Sequence, residues 1–171
     1  MADNSINGLL HPGVMGAAVG QCLTAAGHTV LWHQTARASR SMARAEAAGL
    51  TDAGTPRQLA AEAAVILSVC PPHAALDVAW AVHGFTGLCL DANAISPGAV
   101  GEVAQLINDN GGGMFDGGII GLPPTTPASA RLYLSGPGAG RLQELFAGTA
   151  LQCQTVAGPA TAASAVKAYA A

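Results

Sequence analysis

Short apolar runs alternate with stretches of helical spacing along the whole chain. Residues 6–10 are mostly apolar and read as a first strand. Residues 14–26 follow as a helix in which Ala17, Ala18 and Val19 are small enough to pack closely on a sheet. Gly27 is placed to stop that helix in the left-handed conformation. Residues 28–32 form a second strand, with Thr29, Val30 and Trp32 suited to a sheet. A helix over 37–48 ends at Gly49. Thr55 caps a helix over 55–63, with Pro56 at its first position. Residues 65–69, apolar and rich in β-branched side chains, have the pattern of a strand buried on both faces. Pro71 and Pro72 break that run, and 72–82 form the next helix. A short apolar run at 88–90 ends in Asp91, and Ser96-Pro97 repeats the cap-plus-proline device for a helix to 107. Residues 114–120 are strand-like, 123–127 a turn, 131–135 a strand, 142–146 helical, 151–156 extended and 161–171 an apolar helix.

Strands alternating with helices of about ten to fifteen residues predict an α/β, Rossmann-type fold: a doubly wound, mostly parallel sheet with helices on both faces. Ligands of such sheets bind beyond the carboxyl ends of the strands, where the winding reverses. The polar or special residues fall at those ends: His11, His33 to Thr35, Cys70 to Pro72, and Asp91 to Asn93. One ligand crevice is expected there.

The stretch around which the rest is organised reads G-L-L-H-P-G-V-M-G, from Gly8 to Gly16. A strand, a glycine turn and a helix N-terminus together gather unpaired N–H groups at the positive end of a helix dipole, which suits a pyrophosphate. A dinucleotide fingerprint needs a tight turn, a close backbone approach and close helix–strand packing. Gly13 and Gly16 supply the last two, and His11 replaces the first glycine. The expected cofactor contacts in the turn are Gly8, His11, Pro12, Gly13, Val14 and Met15. Two readings stay open at His11: an imidazole that shapes the turn or faces phosphate or nicotinamide, and a solvated loop residue.

Composition narrows the classes. The 171 residues suffice for one compact domain, and 50% are hydrophobic against 10% charged. The low charge points to an apolar surface reserved for another domain or subunit. No uninterrupted apolar run of about 18 residues appears, so no membrane span is expected. Residues 1–7 are polar and lack a basic region, so no signal peptide is read. Seven Lys plus Arg, spread along a chain of net charge −3, leave no patch for nucleic acid. The cysteines Cys22, Cys70, Cys89 and Cys153 lie singly and read as core thiols of a reducing, cytoplasmic compartment, with no metal site.

An acidic residue ending the second strand would bind the adenine ribose hydroxyls of NAD. Here that position reads Trp32, His33, Gln34, Thr35, without a carboxylate, and Arg37 and Arg40 follow one helical turn apart. A 2′-phosphate would meet no repelling anion and could pair with either arginine, which favours NADP(H) and leaves NAD(H) as the second choice. The alternative is that both arginines are solvated.

These loops resemble the N-terminal domain of the β-hydroxyacid dehydrogenase superfamily, which includes 6-phosphogluconate and 3-hydroxyisobutyrate dehydrogenases. Its opening G-x-I-G-x-G-x-M-G is matched at Gly8, Gly13, Met15 and Gly16. Its strand-end proline loop resembles Cys70-Pro71-Pro72, and its D-x-S-T-x-x-P segment resembles residues 91–97, with Asn93 in the serine's place. Its F-x-D-A-P-V-S-G-G segment resembles 114–122, with Ile120 for the serine and Leu122 for one glycine. The family's catalytic lysine, in G-x-G-x-x-x-K-x-x-N, corresponds to Lys167, with Thr161 and Ala163 at the glycines and Ala170 at the asparagine. A branch carrying an H-P-G loop is the nearest likeness.

The resemblance implies an NAD(P)-dependent oxidoreductase. Hydride would pass between nicotinamide and a small hydroxy acid, ketone or imine, while Lys167 moves the proton. Cofactor contacts would come from the turn, from His33, Gln34, Thr35, Arg37 and Arg40, and from Cys70, Pro71, Pro72 and Asn93. Asn93 would also hold the substrate, against a wall that includes Gly118, Ile119, Ile120 and Gly121. The resemblance further implies a division into a dinucleotide-binding domain, 1–158, and the start of an interdomain helix, 159–171. An all-helical domain completing the site and a homodimer would follow, so the chain alone would bind cofactor and turn over poorly. A cofactor-binding module without turnover, and another pyridine-nucleotide reductase family of ketoacid or pyrroline type, stay open beside this.

Overall fold

The computed structural model describes residues 5–170. Residues 1–4, part of the polar lead, and Ala171, the expected last residue of the final helix, lie outside the described residues. The strands are β1 (Asn7–Leu9), β2 (Val30–Trp32), β3 (Thr51–Asp52), β4 (Val65–Ser68), β5 (Leu88–Asp91), β6 (Gly113–Gly121), β7 (Ala130–Ser135) and β8 (Gln152–Thr155). They form one sheet in the order β3-β2-β1-β4-β5-β6-β7-β8. Among the described residues, the strands pair in parallel except for β6 with β7, and a single antiparallel bridge joins Asn93 to Gly118; β8 lies parallel to β7. The order β3-β2-β1-β4-β5-β6 is that of a Rossmann-type sheet, with the winding reversing between β1 and β4.

Two-residue periodicity explains the double winding. Leu9, Trp32, Leu67 and Leu90 enter an apolar cluster with Val19 and Leu23. Their neighbours Leu10, Leu31, Ile66 and Cys89 enter another cluster, with Leu59 and Ile107. Side chains that alternate across a strand thus bury both faces of the sheet. The first face is covered by α1 (Val14–Ala25), the second by α3 (Pro56–Glu62) and α5 (Pro97–Asn108). Each fully buried leucine is worth roughly 1.5–3 kcal/mol of transfer free energy. The remaining helices are α2 (Ser39–Ala47), α4 (Ala75–Trp80), α6 (Gly140–Leu145) and α7 (Ala162–Ala170).

The expected caps form. Thr55 accepts from the N–H of Gln58 at 3.2 Å while Gln58 Oε1 accepts from the N–H of Thr55 at 3.1 Å, a reciprocal capping box. Ser96 Oγ accepts from the N–H of Ala99 at 3.2 Å. Gly27, at φ +91°, takes the left-handed conformation after α1.

Three segments differ from expectation. The two-residue β3 carries no apolar pattern and was not anticipated. The helix expected from Arg37 starts at Ser39, because Ala36 turns the chain at φ +58°. The helix expected over 72–82 divides into a 3-10 turn, Pro72–Ala74, and α4. At the other end of the chain, α7 lies against β6 and β7 of the same sheet. Among the described residues, no helix is long and apolar enough to cross a membrane.

Candidate functional site

The turn after β1 delivers Gly13 as the N-cap of α1, with no side chain capping it and no acidic residue in the first turn. The first N–H groups of an α-helix have no partner within it, so these amides are free for an anion. Gly16 is there because a Cβ would overlap the carbonyl oxygen of His11 and press on that of Val69, 3.4 Å away. Its absence lets α1 rest on the ends of β1 and β4. Gly8 departs from its expected role as a cofactor contact. It lies within β1, where a Cβ would overlap Leu59 of α3, so it serves packing.

A cleft of about 290 Å³ opens at this turn. His11, Gly13, Val14 and Met15 line one side, Val69, Cys70 and Pro71 another, and Ile119 and Lys167 close it. A larger groove of about 1140 Å³ runs along the amino ends of the strands, past Ala64, Phe85 and Gly112. Its lining includes no residue of the glycine turn and no lysine. Pro72 begins the 3-10 turn, exposed and outside the lining of the cleft.

Arg37 does not point outward as expected. Its Nη1 donates to His11 Nδ1 at 2.8 Å, and its Nη2 to the Leu10 carbonyl at 2.6 Å and to His33 Nε2 at 2.7 Å. A guanidinium can only donate, so both imidazoles are neutral acceptors. His11 therefore carries its proton on Nε2 and His33 on Nδ1. Burial, then the charge of Arg37, holds His33 down to about 4; the same two causes lower His11, with Arg44 adding to them. His33 Nδ1 and Arg37 Nε are buried without partners. Arg40 is exposed in α2.

A carboxylate does stand at the end of β2, supplied by the neighbouring strand. Asp52 of β3 accepts through Oδ1 from the N–H of Gln34 at 3.1 Å and of Gly54 at 2.9 Å. Thr35 turns away and donates to the Gly54 carbonyl at 2.7 Å. Sequence reasoning missed Asp52 because a two-residue exposed strand has no hydrophobic signature.

Asn93 does not line the cleft: it is only 2% exposed, and both polar atoms of its side chain are hydrogen-bonded within the protein. Its Nδ2 donates to Ser68 Oγ and to Asp91 Oδ2, each at 2.8 Å, and its Oδ1 accepts from the N–H of Cys70 at 2.5 Å. It ties the ends of β4 and β5 together and has no free group to offer a ligand. Burial raises Asp91 to about 6, against the lowering effect of the Asn93 hydrogen bonds. Cys70 is half-buried on the cleft rather than in the core, and burial pushes its thiol up to about 11.

Lys167 arrives from α7. Gly118 of β6 makes room for it: a Cβ there would stand 2.7 Å from the Ala163 carbonyl oxygen and 3.1 Å from Lys167 Cβ. Half-burial lowers the Lys167 pKa, and the charge of Asp91 partly offsets that. Of the expected wall, Ile119 lines the cleft and Ile120 alternates to the other face of β6. Gly121, at φ +120°, packs on Ser129 in the turn to β7.

The fold and the turn define a dinucleotide-fold domain, and known structures share the fold. A conserved protein of unknown function, described as structurally similar to 3-hydroxyacid dehydrogenases, is 26% identical with a TM-score of 0.83, over 95% of this chain and 61% of its own. The Mycobacterium tuberculosis 3-hydroxyisobutyrate dehydrogenase, solved with L-serine, is 24% identical with a TM-score of 0.79, over 95% of this chain and 57% of its own. A reductive aminase from Aspergillus terreus, in complex with NADPH and ethyl-5-oxohexanoate, is 20% identical with a TM-score of 0.77, over 97% and 60%. The chain thus spans about three fifths of the length of these proteins. No family model matches the sequence, nor does any curated protein.

Proposed function

We propose that this chain is the dinucleotide-binding part of a pyridine-nucleotide oxidoreductase acting on a small hydroxy acid, ketone or imine. The observation that carries the reading is one cleft shared by the uncapped N-terminus of α1 and Lys167. The fit to a dinucleotide rests on those free amides and on the close approach that Gly13 and Gly16 allow. The reductive aminase neighbour, solved with NADPH, supports it.

In this reading the bound nicotinamide supplies or accepts the hydride. The amides of Val14, Met15 and Gly16 hold the diphosphate, and Val14, Met15 and Ile119 keep water from the reacting carbon. Lys167 gives a proton to, or takes one from, the substrate oxygen or nitrogen. Its half-burial moves the ammonium toward the range useful for that transfer.

NADP(H) is the preferred cofactor over NAD(H). Exposed Arg40 at the start of α2 is the cation offered to a 2′-phosphate, while Asp52, with one oxygen engaged by two backbone amides, is the carboxylate that would favour NAD(H). A small-molecule substrate and a homodimer completed by a helical domain belong to the same reading. A binding module without turnover is the second reading, favoured by the full commitment of Asn93, which leaves Lys167 as the one polar side chain of the substrate half. Titration with NADPH, followed by its oxidation on a panel of ketones and imines and by NADP+ reduction on a panel of hydroxy acids, tests both. Turnover supports the first reading, binding that stays without turnover even in a chain extended by a helical domain supports the second, and no binding overturns the pair.

A further inference from the structure

We propose that Asp116, acting with Ser135 and Ser164, is the positioning group for Lys167: a buried carboxylate on β6 clamps the first turn of α7 and so fixes where the amine enters the cleft. The role given to Lys167 rests on the function proposed above; the clamp itself rests on geometry.

Asp116 is only 1% exposed in the middle of the sheet, where an unpaired carboxylate would be costly. Its partners are donors at the start of α7. The Ser164 N–H donates to Oδ2 at 2.8 Å, and the Ser164 hydroxyl makes a short bond to Oδ1. Ser135 Oγ, on β7, lies 3.2 Å from Oδ2 and 3.0 Å from the Ala160 carbonyl, between which its single proton is shared. It accepts in turn from the N–H of Ala163 at 3.0 Å. Two of the first amides of the helix are therefore capped by strands of the sheet, while that of Ala162 donates to the Pro159 carbonyl at 3.0 Å. A carboxylate at this end is also favoured by the helix dipole.

The clamp reaches Lys167 by two periodicities. Ser164 and Lys167 are three residues apart, on one face of the helix. Asp116 and Gly118 are two apart, on one face of the strand. Asp116 thus holds the first turn, and bare Gly118 receives the second at Lys167 Cβ. Little else holds the helix in place. Its buried residues are Ala163 and Ser164, both in the clamped turn, while Ala165, Ala168 and Tyr169 are exposed. With so little apolar area to seat α7, the polar cap decides its position. The other titratable groups around the amine are Asp91 from β5, His11 and Arg37 beside the glycine turn, and Cys70 after β4.

Lys167 is the chain's only lysine, so protein labelled with ¹³C,¹⁵N-lysine gives one side-chain signal. Wild-type protein should titrate below an ordinary lysine, and NADPH should move the signal. In Asp116→Ala the amine is released to solvent, so the midpoint moves up and the NADPH response shrinks. Gly118→Ala, which keeps the carboxylate but lifts the helix, should do the same. Ser164→Ala should give a smaller shift in the same direction, and it keeps the test valid if Asp116→Ala does not fold. Unchanged midpoints in the folded variants would overturn the clamp. Failure of wild-type protein to bind any nicotinamide dinucleotide would instead overturn the functional reading, and the lysine titration would still judge the clamp.

Discussion

Arg37 Nη1 donates to His11 Nδ1 across 2.8 Å, which leaves the His11 proton on Nε2, beside Gly13 in the glycine turn. The residue that breaks the glycine fingerprint is thus held as a neutral donor. His33, accepting through Nε2 from the same guanidinium, is held in the opposite tautomer. Two-dimensional ¹⁵N spectra of the histidines should find His33 as an Nδ1–H ring, beside His83, whose Nδ1 donates to the Trp80 carbonyl at 2.8 Å, and His11 as Nε2–H. Arg37→Leu should remove the His33 Nδ1–H signature and leave that of His83. The same change should destabilise the fold by about 1–3 kcal/mol in urea unfolding, because it strands buried acceptors.

In mild acid two buried groups pull stability in opposite directions. His33 is held near 4 when folded and titrates near 6.5 when unfolded, so its contribution is full above about 6.5. That contribution is lost as the pH drops through 4, where the unfolded chain binds the extra proton. Asp91 works the other way: raised to about 6, it favours the fold in acid, and that gain disappears as the pH rises through 6. Urea unfolding between these limits should show a flatter acid slope for His33→Gln and a steeper one for Asp91→Asn. Identical slopes in all three proteins would refute the assignment.

Cofactor choice should depend on Arg40 more than on Arg37. Arg40→Ala should weaken NADPH binding by roughly tenfold, about 1.5 kcal/mol for a charge-assisted contact, and leave NADH nearly unchanged. Fluorescence titration with both cofactors reads this directly. Equal losses for NADPH and NADH would remove the 2′-phosphate contact.

Gly16→Ala should disable the turn without touching ligand chemistry. The added methyl meets backbone, the His11 carbonyl oxygen, which cannot swing aside as a side chain can. A loss of about 1–3 kcal/mol of stability is expected, together with loss of NADPH binding. Thermal unfolding and titration of the same variant check both.

Lys167→Met should keep NADPH affinity and lower turnover by about 10²–10⁴-fold in a chain that turns over, the usual range for a general acid or base. Unchanged turnover would make Lys167 structural.

The frame of the molecule was legible because its signals are local. Apolar runs such as 65–69, the Thr55-Pro56 and Ser96-Pro97 caps and the glycine turn each declare themselves within a few residues. Their convergence at the strand ends followed from the parallel winding. What escaped notice depends on partners far apart in the chain. Asp52 matters because β3 sets it beside Gln34, 18 residues away, and Asp116 because Ser164 lies 48 residues on. Arg37 was misplaced for a different reason: left-handed Ala36 delays the helix and folds the guanidinium back over β1. Nothing in the composition of residues 33–40 forecasts that turn.

The borrowed caps of α7 also bear on the order in which the chain folds. A nine-residue helix is too short to persist in water alone. Its acceptors sit on strands 28 and 48 residues earlier, so closing those loops must precede its ordering. The β6–β7 hairpin therefore assembles before the helix does. In hydrogen exchange, the amides of Ala163 and Ser164 should open more readily than those of that hairpin. The amine meant for the cleft would then be the last part of it to arrive.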